Sequence, residues 1–114
     1  MVTVTAEDFA ELVADALDAL PPRFTKVMNN VTITVDDDSP PGGLYGLYVG
    51  VPLTNRNGNY AMALPDRIVL YRQTINASCR DQDEVRRRVE VTVVHEVAHH
   101  FGIDDHTLHE LGWA

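Results

Sequence analysis

The stretch DQDEVRRRVEVTVVHEVAHHFG, residues 81–102, decides how the chain folds, and it supports two opposite readings. Its middle, RVEVTVV (88–94), is β-branched and alternates at period two, which by local preference alone is a strand. Against that, no helix breaker occurs between Asp81 and Gly102, and the segment is too long for an ordinary strand. Asp81 can cap a first turn with Glu84 reaching back, and Arg86, Arg87 and Arg88 are good helix formers on an exposed face. Apolar residues surround the second half on all sides, as a buried central helix requires. The sequence predicts one long helix.

On a helix, His95 and His99 are four positions apart, so their side chains share a face at about 5–6 Å between Cβ atoms. Two imidazoles at that separation can hold one zinc ion at about 2.0–2.1 Å each. Glu96, about 100° further around the helix, does not easily join as a ligand. It stands where a carboxylate can take a proton from a water that the metal activates. The HExxH spacing thus assigns neutral nitrogens to binding and a carboxylate to base catalysis. Structural zinc takes four protein ligands, whereas catalytic zinc takes three and leaves a position for water. Gly102 suits the left-handed turn that ends a helix and folds the next residues back toward the metal. Asp105, three residues past that glycine, is then the natural third ligand, with Asp104 and His106 as rivals displaced by one.

His95, Glu96, His99, Gly102 and Asp105 complete the pattern HExxHxxGxxD, which resembles the extended zinc motif of the metzincins with aspartate in the third-ligand place. The fuller run VVHEVAHHFGIDD (93–105), with GLYVGVPLT (46–54) and LPDRIVLYR (64–72) upstream, resembles the minimal zincin-like metallopeptidases, a family of short bacterial proteins. The resemblance runs from Pro41 to Gly112 and implies a zinc site under an α+β upper half. The pattern departs from the metzincins in one respect: Met1, Met28 and Met62 all lie upstream, so the downstream methionine turn has no counterpart.

The remaining segments supply a small domain around that helix. TAEDFAELVADALDAL (5–20) opens with Thr5 and Asp8 as a capping pair. Phe9, Leu12, Val13, Ala16, Leu17 and Leu20 follow at helical spacing, and Pro21-Pro22 end the helix. NNVTITVDDD (29–38) alternates as a half-buried strand running into an acidic turn that lacks the spacing of a calcium loop. Tyr45, Leu47, Val49 and Val51 alternate with Gly46, Tyr48 and Gly50 in a glycine-rich strand, and RIVLYR (67–72) is another short strand after Pro65. DHTLHELGW (105–113) reads as a short terminal helix with His109 and Glu110 toward solvent or beside the ligands. His100 points away from His99 and reads as structural or as support for the metal ligands. The four tyrosines read as core or edge-strand packing. The expected fold is one α+β domain over 1–114: an N-terminal helix, a small twisted mixed sheet, a long active-site helix and a short C-terminal helix.

Bulk properties narrow the function classes. At 114 residues the chain is one domain in size, and 45% hydrophobic with 23% charged residues fits a globular fold rather than a disordered one. Seventeen acids against nine bases give −8, which argues against nucleic acid or an anionic membrane as partner and suits a protein that holds cations. Cys79 is the single cysteine, so no intrachain disulfide forms; with no signal-like or spanning segment, a cytoplasmic location is expected. The favoured reading is zinc-dependent hydrolysis of peptide bonds in a peptide or protein substrate. The polarised carbonyl is attacked by water that Glu96 activates, with an edge strand such as RIVLYR aligning the peptide. Only nine residues follow Asp105, which leaves the lower wall of a cleft unbuilt and makes weak activity, or a protein partner that completes the cleft, the expectation. Two rivals remain open: a catalytically weak or silent zincin-fold interaction module, and a zinc hydrolase of a non-peptide amide.

Overall fold

The structure, a computed structural model, describes residues 3–22, 31–50, 66–100, 102 and 106. Among the described residues it has three helices and a three-stranded mixed sheet: α1 (Ala6–Asp18), β1 (Val31–Asp36), β2 (Gly46–Val49), β3 (Asp66–Tyr71), α2 (Arg72–Ser78) and α3 (Gln82–His100). This is the expected α+β class. No helix among the described residues is long and apolar enough to cross a membrane.

The conflict within residues 81–102 resolves as helix. Asp81 accepts the Glu84 N–H at 2.8 Å, and the Glu84 carboxylate reaches back to the Arg80 N–H at 2.9 Å and to its guanidinium at 3.0 Å. Those two contacts hold the Glu84 carboxyl below its usual range, the backbone N–H contributing most. The valines that imitate a strand are recruited at helical spacing: Val85, Val89, Val93 and Val97 lie four apart and are all buried. Each contributes about 1.5–3 kcal/mol on burial, which outweighs a propensity penalty of a few tenths. The expectation of apolar contact all round does not hold, because Val91 is 41% exposed. Nor are all three arginines on a bare face: Arg88 is half-buried against Tyr45.

Helix α1 is capped as expected, with the Asp8 N–H donated to Thr5 Oγ1 at 3.2 Å. Its Phe9, Val13 and Ala16 join Val85, Val89, Val93 and Val97 of α3 with Ile68, Leu70, Ile75 and Cys79 in one core. The sheet order is β1-β3-β2, with β1 parallel and β2 antiparallel to β3. Strand β3, the expected edge, is therefore central and bonded on both sides, so it has no edge to lend a peptide. Its burial explains the position: Ile68, Val69, Leu70 and Tyr71 are all buried, the continuous pattern of a strand covered on both faces. The strand also stops one residue early, since Arg72 begins α2. Arg72 is tied there by Asp37 at 2.8 Å and by the Val4 carbonyl at 2.9 Å.

Strand β2 alternates as expected, but Gly46 and Tyr48 face inward while Leu47 and Val49 face out. The small residue faces in because α3 comes so close. A Cβ on Gly46 would lie 2.8 Å from Thr92 Cγ2, 3.1 Å from the Val69 carbonyl and 3.3 Å from Glu96 Cγ. Residues 51–65 and 107–114 lie outside the described residues, and with them most of the expected terminal helix; His106 is helical.

Candidate metal centre

Helix α3 presents His95 and His99 on one face near its C-terminal end. Their rings meet edge to face with centroids 4.8 Å apart. Gly102 stands just beyond, at φ 76°, and donates its N–H to the His99 carbonyl at 3.0 Å. That left-handed residue closes the helix as the sequence requires.

Glu96 completes the group. Its Oε1 lies 3.0 Å from His99 Nδ1, and one ligand atom from each of His95, Glu96 and His99 falls within 4.8 Å of the others. The Glu96 side chain is 8% exposed and that of His99 38%, so the group is rooted in the core and open on one side. The carboxylate has room because Gly46 of β2 carries no side chain. Two imidazoles this close, with a carboxylate beside them, could hold a divalent ion, and the residues present fit one. Among the described residues the group includes neither His100 nor His106, which is exposed. Asp104 and Asp105, like His109 and Glu110, lie outside the described residues.

Behind the group is a second cluster that the sequence reading did not assemble. Asp66, the first residue of β3, is 1% exposed. Its Oδ2 receives the Tyr48 hydroxyl at 2.5 Å and lies 2.9 Å from Nδ1 of His100, which is fully buried. The Tyr48 and His100 rings pack edge to face at 5.9 Å. Gly50, at φ 154°, makes space for the carboxylate, since a Cβ there would approach Asp66 Oδ1 to 2.5 Å. His100 thus ties the end of α3 to the start of β3. The tyrosine that looked like packing donates a hydrogen bond. The signal in the sequence was an aspartate opening an otherwise apolar strand, with a second histidine directly after His99 to meet it.

Comparison with known proteins agrees with this geometry. None of the curated proteins matches the chain. A conserved hypothetical protein from Thermus thermophilus has a similar solved structure, with a TM-score of 0.63 and 24% identity over 86% of this chain and 94% of that one. That likeness is one of fold. A family model described as zincin-like metallopeptidase matches residues 28–113, which include the helix, the sheet and both histidine clusters. The chain belongs to the zincin-like metallopeptidase family.

Proposed function

We propose that this protein hydrolyses peptide bonds, using zinc held by His95, His99 and Asp105, with Glu96 as general base. The observation that carries the reading is the placement of Glu96: a nearly buried carboxylate, 3.0 Å from one histidine of the pair and within the same 4.8 Å group as the other. When bound, a zinc ion supplies the positive charge that acidifies water and polarises a carbonyl. Glu96 then accepts the proton of the attacking water and returns it to the departing amine as the carbon–nitrogen bond breaks, so the carboxylate ends the cycle as it began. Its contact with His99 Nδ1 also fixes the ring of that histidine. Strand β2 replaces β3 as the element to align an extended peptide. It has one bonded neighbour among the described residues, and its inner face lies on the helix beside Glu96.

Metal analysis of purified protein, combined with cleavage of a diverse peptide library by wild type and Glu96→Gln, tests this. The variant is expected to keep its metal and lose about 10²–10⁴ in rate. Equal rates for the two proteins, or no cleavage by zinc-loaded wild type, would overturn it.

A further inference from the structure

A cavity of about 230 Å³ opens beside the metal-binding group, between α3 and the start of β2. His95 and Glu96 border it. Its apolar lining includes Leu44 and Val91, which are 40% and 41% exposed although nothing in the core needs them there. Arg88 also lines it. Among the described residues Arg72 pairs with Asp37, Arg80 with Glu84 and Arg86 with Asp83, but no carboxylate pairs with Arg88. Its guanidinium carbon lies instead 4.8 Å from the centre of the Tyr45 ring. Tyr45 is itself anchored, because its carbonyl accepts the Tyr71 N–H at 2.9 Å. The aromatic face thus holds the guanidinium in place without neutralising it.

Arg88, Thr92, His95 and His99 are spaced by four, three and four, so they follow one face of α3. Seven residues separate Arg88 from His95, about 10 Å along the axis at ~1.5 Å per residue. An extended peptide covers that distance in about three residues. In a chain of net charge −8, an oriented guanidinium in an apolar cavity is the uncommon feature. Its planar fork matches a carboxylate, and the ring of Tyr45 keeps it oriented toward the cavity.

We infer that this cavity selects peptides carrying an acidic side chain within about three residues of the bond to be cut, with Arg88 as the specificity-determining residue. The inference rests on the peptidase reading above, and the experiment separates the two. Its probes are hexapeptides acetylated at the N-terminus and amidated at the C-terminus, with one Glu or one Gln moved through each position. The side chain is then the only carboxylate. For zinc-loaded wild type, kcat/KM for the best Glu peptide should exceed that of its Gln twin by about tenfold, the usual scale for a hydrogen bond to a charged group. Arg88→Met keeps the stem over Tyr45 and should lose that preference while retaining the metal, the Glu peptide losing far more kcat/KM than its Gln twin. Arg88→Glu should favour a Lys peptide instead.

Cleavage of Glu and Gln peptides at equal rates would overturn the inference and leave the peptidase reading standing, as would an equal loss on both in Arg88→Met. If nothing is cut, calorimetric binding of the same peptides decides: tighter binding of the Glu peptide that disappears in Arg88→Met supports the acidic-site assignment although hydrolysis has failed. No difference in binding overturns it. With free-acid versions of the same peptides added as a second set, a preference for the terminal carboxylate and none for the Glu side chain would move the anion to the chain end and overturn the side-chain assignment.

Discussion

His99 and His100 are neighbours in the chain, and each turns Nδ1 to one carboxylate at almost the same distance. His99 meets Glu96 at 3.0 Å and His100 meets Asp66 at 2.9 Å. The surroundings differ sharply. The His99 side chain is 38% exposed, whereas those of His100 and Asp66 are 0% exposed. Consecutive residues on a helix point about 100° apart, so one imidazole faces the open side of α3 and the other faces β3. The same pair of groups is therefore open to solvent in one place and ties two elements together in the other. Burial, not pairing, divides the two clusters by role.

Metal retention should break the symmetry most completely. His95→Ala and His99→Ala should each lose their metal after dialysis, whereas His100→Ala should keep it with affinity weakened by no more than about 10–100-fold, the scale for a residue that supports a ligand. Metal analysis of the three variants decides, and complete loss in His100→Ala would erase the distinction between open and sealed clusters. The third ligand is read from the same series. Asp105→Ala should weaken zinc more than Asp104→Ala or His106→Ala, because its offset from Gly102 matches the extended motif.

Stability should show the reverse order. Removing one member of the sealed cluster takes a buried partner from the other, so Asp66→Ala or His100→Ala should cost about 3–5 kcal/mol in urea unfolding of metal-free protein. Glu96→Gln keeps shape and hydrogen-bonding capacity and should stay within about 1 kcal/mol of wild type. A smaller cost is expected where the sheet touches the open cluster. Gly46→Ala drives a methyl against Thr92 and the Val69 carbonyl and toward Glu96, which should cost about 1–3 kcal/mol. If this variant matched wild type, β2 would have to sit further from α3 than its backbone indicates.

The open cluster was legible in the sequence because its chemistry is local. His95, Glu96, His99 and Gly102 lie within one helix end, and helical periodicity alone brings them together. The sealed cluster was not, because Tyr48, Asp66 and His100 come from three elements and meet only when β2, β3 and α3 pack. Helix α2 was missed for a different reason. Its N-cap is Tyr71, which makes no side-chain capping bond, so RQTINAS carries no start signal of the Ser, Thr, Asp or Asn kind. Its ties are tertiary, from Arg72 and Asn76 to the Val4 carbonyl and from Thr74 to Ser39. Strand β3 was recognised as a strand but placed at the edge. Its unbroken burial from Ile68 to Tyr71 reflects an order, β1-β3-β2, that follows from where the connections lead rather than from the segment itself.

The smallest effect tests whether burial is the deciding variable. Asp37 and Arg72 form a third carboxylate–base pair at 2.8 Å, as close as Asp66 and His100, but the Asp37 side chain is 55% exposed. The hydrogen bond from Arg72 holds the Asp37 carboxyl below its ordinary value; desolvation opposes it, and the charge of Arg72 adds a lesser lowering. A carboxyl whose folded-state pKa is lowered adds stability that is present above the unfolded pKa and is lost as pH falls through the folded one. The contribution of Asp37 should thus be present from neutral pH down to the ordinary aspartate range and fade only below it. Thermal midpoints of wild type and Asp37→Asn, followed from about pH 6 to pH 2, should differ slightly at the upper end and converge at the lower. Solvent screens the exposed pair, so the gap should be far smaller than the loss in Asp66→Ala. A gap as large as that loss would mean that pairing alone sets the value of these contacts; a gap that widened as pH fell would reverse the sign assigned to Asp37.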